Sequence, residues 1–157
     1  MFFYYFGNVF EFTVLLAAFV AGGRDERIVG AAQLLNIACY RLLAMSGWSR
    51  PEWLVLAADA ALLAVLLTLA MRTTRWWLLW GSAFQLLIVV IHLAMIADPT
   101  VRARSYATGT IIWAYLVFIA LAVGIWGAWR ARRTARATTA ATAQPSTVSP
   151  PGAPTLR

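Results

Sequence analysis

Four ionisable side chains stand inside otherwise apolar runs: Glu11, Arg41, Asp59 and His92. Two carboxylates, a guanidinium and the chain's one imidazole are the ingredients of ion pairing, charge-assisted hydrogen bonding and proton transfer. None of them falls in a motif that fixes a reaction. Nothing of the form Gly-x-Ser-x-Gly, His-Glu-x-x-His or Cys-x-x-Cys occurs, and no glycine loop suits a phosphate. A single cysteine, Cys39, excludes an intrachain disulfide and a multi-cysteine metal site. A single histidine excludes bis-histidine haem ligation within one chain. The expectation is therefore no catalytic constellation, no metal and no cofactor.

The polar neighbours of these four residues recur at helical spacing. Tyr4, Asn8 and Glu11 stand at i, i+4 and i+7; Gln33, Asn36 and Tyr40 form a second stripe; Gln85 and His92 are seven apart, with Ser82 three before Gln85. Tyr115 and Thr108, also seven apart, extend the polar face to the last apolar run. Arg41 is turned by about 100° from Tyr40 and so falls at the edge of its stripe.

The elements that must position these groups are long and apolar. The chain has 157 residues, 62% hydrophobic and 12% charged, with mean hydropathy +0.73. A soluble domain would carry about a quarter charged residues. Five runs, about residues 2–22, 28–47, 53–71, 76–97 and 107–129, compare with the roughly 20 residues that a hydrocarbon core requires. The fold class expected is all-α, a membrane helix bundle of five transmembrane helices. The second run carries Gln33, Asn36 and Arg41, so the alternative is four spans plus one interfacial or re-entrant segment.

Charge arbitrates. The net charge of +7 comes from thirteen arginines and no lysine, and the arginines flank the runs, which points to membrane topology rather than nucleic acid. With five crossings, Arg24, Arg27, Arg72, Arg75, Arg130, Arg132, Arg133, Arg136 and Arg157 share one side, against Arg50, Arg102 and Arg104 on the other. Without the second crossing the bias disappears. The positive-inside rule thus favours five spans, N-terminus out and C-terminus in. The first run lacks a basic leader and reads as a retained span.

Connections fit helical hairpins. The glycine pair in "GGRDER" suits the end of a helix, "SRPE" (Ser49 to Glu52) has capping-box spacing, and Asp98-Pro99 could cap a short interfacial turn. Trp48, Trp53, Tyr106, Trp76, Trp77, Trp126 and Trp129 border the runs, as interfacial aromatic belts do. Ala120, Gly124 and Ala128 offer a close helix contact. Residues 1–130 form the bundle. Residues 131–157, rich in Arg, Ala, Thr and Pro, are expected to be a disordered basic cytoplasmic tail.

At about 1.5 Å per residue, Arg41, Asp59 and His92 come out roughly 10 Å below the outer face, and Glu11 slightly deeper. The inner half carries no ionisable group. A charge at mid-membrane costs about 2.5–3.5 kcal/mol on insertion scales, so Arg41 is expected to pair with Glu11 or Asp59. The candidate site is Glu11, Arg41, Asp59, Gln85 and His92, with Asn36, Tyr40, Asp98, Tyr106 and Tyr115 as secondary members. Two readings stay open: a structural network that fixes helix register, or an outward-open cavity that binds a ligand or passes a proton. The first goes with a non-enzymatic accessory, assembly or scaffold subunit, the second with a small transporter or proton-linked binder. Lipid bilayer surrounds the bundle, a membrane-protein partner or a second copy is open to it, and nucleic acid is not.

Four strings, "GGRDER", "PEWLVLAADAALLAVLLTLAMR", "RWWLLWGSAFQLLIVVIHLA" and "ADPTVRARSYATGTIIWAY", together resemble a group of short multi-pass proteins of alphaproteobacterial inner membranes. The resemblance covers about residues 20 to 129. It implies location in the inner membrane and a helical fold. The group's recurring polar positions correspond to Asp59, Gln85, His92, Asp98 and Tyr106, and no catalytic role comes with them.

Overall fold

A computed structural model describes residues 2–45, 52–97 and 103–143, with side chains for 7–45, 53–97 and 109–142. Among the described residues the protein is all-α, with five helices: α1 (Phe2–Ala21), α2 (Arg24–Met45), α3 (Glu52–Arg72), α4 (Trp76–Ala97) and α5 (Ala103–Ala143). Leu- and Ala-rich runs such as that of α3 lose little side-chain freedom on coiling, and hydrogen-bond all their backbone groups internally. Stretches on α2, α3, α4 and α5 are long and apolar enough to cross a membrane, and α1 adds a shorter apolar segment, Gly7–Ala21. The second run, doubtful by its polar residues, is therefore among the four.

Each helix packs against its neighbours in sequence, α5 closes the ring against α1, and α2 also touches α5. Residues 22–23 and 73–75 turn the chain at one end, here called the turn end. All five helices supply the apolar core: Val14, Leu15 and Ala18 of α1, Val29 of α2, Leu62 and Leu66 of α3, Trp77 and Leu78 of α4, and Phe118, Leu121 and Ile125 of α5. Large apolar side chains on every helix face outward, Leu16, Leu35, Leu67, Leu79 and Ile119 among them. A water-soluble monomer does not expose apolar surface so broadly. The chain is an integral membrane protein by this criterion.

Small residues set the closest helix contacts. A Cβ on Gly124 would lie 2.5 Å from the Trp77 ring, and one on Gly81 would meet Ala120 at 3.9 Å. Ala120 and Gly124 thus join α5 to α4 as their spacing suggests. Trp77 is correspondingly buried against α5 instead of standing in an interfacial belt, whereas Trp53, Trp76, Trp126 and Trp129 are exposed.

The helical part of the chain reaches farther than expected. Disorder was expected from residue 131, yet α5 continues to Ala143. Ala and Arg are strong helix formers, and a span already formed removes the nucleation cost of extending it. The hydroxyls of Thr138, Thr139 and Thr142 bond back to carbonyls four residues earlier, so they do not compete for other backbone structure. At about 1.5 Å per residue α5 is about 60 Å long, twice the hydrocarbon thickness. Residues 144–157 lie outside the described residues, as do Trp48, the capping box from Ser49 and the Asp98-Pro99 turn.

Candidate functional site

Three helices converge on Asp59. Asn36 and Tyr40 approach from α2, and Gln85 and His92 from α4, each pair on one helix face. Tyr40 lies five residues before the end of α2, Asp59 seven after the start of α3, and His92 five before the end of α4. All three therefore sit about 8–10 Å from the end opposite the turns. The apolar core fills the other half.

The carboxylate is almost completely buried, at 2% exposure. Its Oδ1 accepts from Asn36 Nδ2 at 3.1 Å and from Gln85 Nε2 at 3.0 Å. Gln85 Nε2 also reaches the Asp59 carbonyl at 3.3 Å. Oδ2 accepts from the Tyr40 hydroxyl at 2.6 Å, and His92 Nδ1 stands 3.6 Å away, within ion-pair range. The imidazole is anchored by Nδ1, 2.9 Å from the Ile88 carbonyl, and its Nε2 faces the Tyr40 hydroxyl at 3.5 Å. An ionised carboxylate has about four acceptor sites, and here three side chains donate to it while a fourth lies at its edge. That is what allows a charge to remain in a dry interior. Ser82, on the same face of α4, instead bonds back to the Leu78 carbonyl at 2.8 Å.

The remaining members of the expected layer form a separate set on the α1 side. Arg41 is exposed and donates to Asn8 Oδ1, one turn from Glu11. Among the described residues the ion pairs within 4 Å are Arg75 with Asp25 and Glu26, and His92 with Asp59. Arg41 with Glu11 or Asp59 is not one of them, which corrects the expected pairing. The charges of Glu11 and Arg41 still attract one another, and Glu11 is close enough to act on Tyr115. Tyr115 stacks at a tilt on Phe10, 6.1 Å between centroids, with its hydroxyl against Gly7. The rotation of Arg41 off the Tyr40 stripe is the physical reason: the offset aims it past the interior, toward α1. Asp98 and the side chain of Tyr106 lie outside the described residues.

A second polar site was missed. Glu26, counted as part of a charged loop, is wholly buried at the turn end. Arg75 donates to its Oε1 and contacts Asp25 at 3.2 Å. Glu26 Oε2 accepts the backbone N–H of Gly23 at 2.8 Å, while the Gly23 carbonyl takes the first bond of α2 from Arg27 N. Gly23 is thus the N-cap and Glu26 the N3 acid of half a capping box. Arg132 of α5 donates to the Ala21 carbonyl at the same end, 2.8 Å away. The half nearer the turns thus holds a buried charge, where the sequence had suggested an inner half without ionisable groups.

Among the described residues, Gln33 Oε1 and Asn36 Oδ1 on α2 are buried without a hydrogen-bond partner. A groove of about 170 Å³ opens between α2 and α3, lined by Ala32, Asn36, Cys39, Ala58 and Ala61 among others. Cys39 is exposed on that outward face rather than packed in the interior. Among the described residues no three of His, Cys, Asp and Glu gather as metal ligands would.

In comparisons with known proteins, no family model, no curated protein and no solved structure matches this chain.

Proposed function

We propose that the chain is a non-enzymatic subunit of the bacterial inner membrane, accessory to or assembling with another membrane protein or a second copy. It crosses five times, N-terminus out, with the basic turn end and the α5 extension in the cytoplasm. The observation that carries the reading is the saturation of Asp59: Asn36, Tyr40 and Gln85 use its acceptor positions, so the most buried charge of that half ties α2, α3 and α4 together. Interhelical hydrogen bonds of this kind fix register in a bundle that lipid cannot order by hydrophobicity alone. The nine-to-three distribution of arginines supports the orientation, and the likeness to short alphaproteobacterial inner-membrane proteins supports the location.

Purification in native lipid discs with mass spectrometry tests it. A stoichiometric membrane-protein partner or a defined homo-oligomer is expected. A monomer that carries only a small-molecule ligand contradicts it.

One observation favours a second reading, a proton-linked ligand-binding protein or small transporter: the Tyr40 hydroxyl lies between Asp59 and His92. Under this reading, Asp59→Asn and His92→Gln fold normally but abolish proton flux into vesicles. Loss of folding in both variants returns the cluster to its structural role.

A further inference from the structure

The α5 span ends on two indoles and two guanidiniums that share one helix face. Trp126, Trp129, Arg130 and Arg133 stand at i, i+3, i+4 and i+7, within an arc of about 100°. All four are exposed. Each arginine lies over the indole four residues before it. Arg130 Cζ is 5.5 Å from the centroid of the Trp126 ring, and Arg133 Cζ is 3.8 Å from that of Trp129. A cation held over a ring uses the face of the guanidinium and none of its five N–H donors. Among the described residues those donors meet no carboxylate within 4 Å. Asp25 and Glu26, the acids of the turn end, both pair with Arg75.

Neighbouring helices fix the level of this face. Gly124 lies against the ring of Trp77 in the first turn of α4, and Arg132 donates to the carbonyl of Ala21, the last residue of α1. Residues 124–132 of α5 are therefore level with the turn end of the bundle, where apolar surface gives way to charge. Toward the middle of the span the same face continues through Ala122 to Ile119, which is 47% exposed. An apolar track thus leads to indoles at the border and to cations beyond them, which is the order of acyl chain, glycerol and phosphate in a phospholipid. We propose that Trp126, Trp129, Arg130 and Arg133 form a binding site for one anionic phospholipid. The two guanidiniums hold its phosphodiester, and an acyl chain lies along Trp126 and Ile119. An acidic protein segment would match the arginines but not the apolar track below them.

Arginine suits this task because its planar fork can present paired N–H donors to the two free oxygens of a phosphodiester. The indoles hold the guanidiniums in place beforehand, so less side-chain freedom is lost when the lipid binds. An anionic headgroup is preferred to a zwitterionic one, whose own ammonium group would be brought toward the two arginines. Arg132, turned by about 100° from Arg133, is engaged with α1 and keeps the lipid-binding face of α5 directed outward. Such a site needs neither a protein partner nor a given orientation of the chain, and so goes beyond the subunit reading.

The test titrates the full chain in neutral detergent with phosphatidylglycerol or with phosphatidylcholine of the same acyl chains, and counts bound lipid by native mass spectrometry. One phosphatidylglycerol is expected to bind about tenfold more tightly than phosphatidylcholine. Arg130→Gln/Arg133→Gln should lower that affinity about tenfold and so remove the preference. Arg24→Gln/Arg27→Gln makes the same change of charge at the same end, but acts only through a screened field and should change the affinity less than about threefold. Trp126→Leu/Trp129→Leu keeps every charge and should still weaken phosphatidylglycerol binding, because the guanidiniums lose their support. Equal affinity for the two lipids would leave the arginines to an acidic partner and overturn the proposal. Equal losses in the two arginine variants, an unchanged affinity in the tryptophan variant, or displacement of the lipid by inorganic phosphate at constant ionic strength would also overturn it. The wild-type comparison of the two lipids decides it even if a variant fails to fold.

Discussion

Replacing Arg75 by methionine should be the most damaging single change at the turn end. The Glu26 side chain is fully buried, and Arg75 is its cation. Without Arg75 the carboxylate keeps the Gly23 N–H but faces Asp25 with no positive charge between them. Breaking a buried ion pair from one side costs about 3–5 kcal/mol. Arg75 is 40% exposed, so water screens part of its charge and the lower end, about 3 kcal/mol, is expected. That is roughly a hundredfold in the unfolding constant. Glu26→Gln keeps an acceptor for Gly23 and removes the stranded charge. In that background Arg75 pairs only with Asp25, and Arg75→Met should cost about 1 kcal/mol or less. The coupling between the two positions is then about 2 kcal/mol. Reversible unfolding in mixed micelles, followed by tryptophan fluorescence and far-ultraviolet circular dichroism, measures all four corners of the cycle. A coupling below about 0.5 kcal/mol would refute the reasoning, since that is the level of independent sites.

Further outcomes follow from the same packing. Gly124→Leu forces a side chain into the Trp77 ring and should cost about 1–3 kcal/mol in the same assay, whereas Gly127→Ala, with nothing within 4 Å of the new Cβ, should be neutral or stabilise by up to about 1 kcal/mol. Asp59→Ala strands the donors of Asn36, Tyr40 and Gln85 and should destabilise by about 3 kcal/mol or more, while Asp59→Asn, which keeps an oxygen at the centre, should cost less. Ala137→Pro should abolish hydrogen-exchange protection along the exposed end of α5 but change bundle stability by less than about 0.5 kcal/mol, because residues 131–142 are exposed.

Much of this architecture was legible in the sequence because a bilayer imposes a simple ruler. Runs near 20 residues with arginines at one set of ends define the helices, and a fixed rise per residue brings Arg41, Asp59 and His92 to one height. The seven-residue spacing of Gln85 and His92 puts both on one face of α4, where the structure finds them at Asp59. Rotation about each helix axis was less legible. Arg41 shares the height of Asp59 but is turned toward α1, so equal depth did not mean contact. Glu26 was hidden by its company: between Arg24 and Arg27 it reads as part of a solvated loop. The signal that could have found it is Gly23 three positions earlier, with Arg75 in the facing turn, the spacing of an N-cap and its N3 acid. The helical end of α5 was missed because composition alone ignores that the preceding span has already nucleated it.

The central claim is that His92 and Asp59, 33 residues apart in sequence, meet in the interior of the bundle. Dipolar recoupling between the 15N-imidazole of His92 and 13C-carboxyl aspartate, with the chain in bilayers, measures that contact directly. The account predicts strong dephasing at a contact distance consistent with 3.6 Å between Nδ1 and Oδ2, lost in Asp59→Asn prepared with unlabelled asparagine. Absence of dephasing in the wild-type chain, or dephasing that survives that substitution, would contradict it.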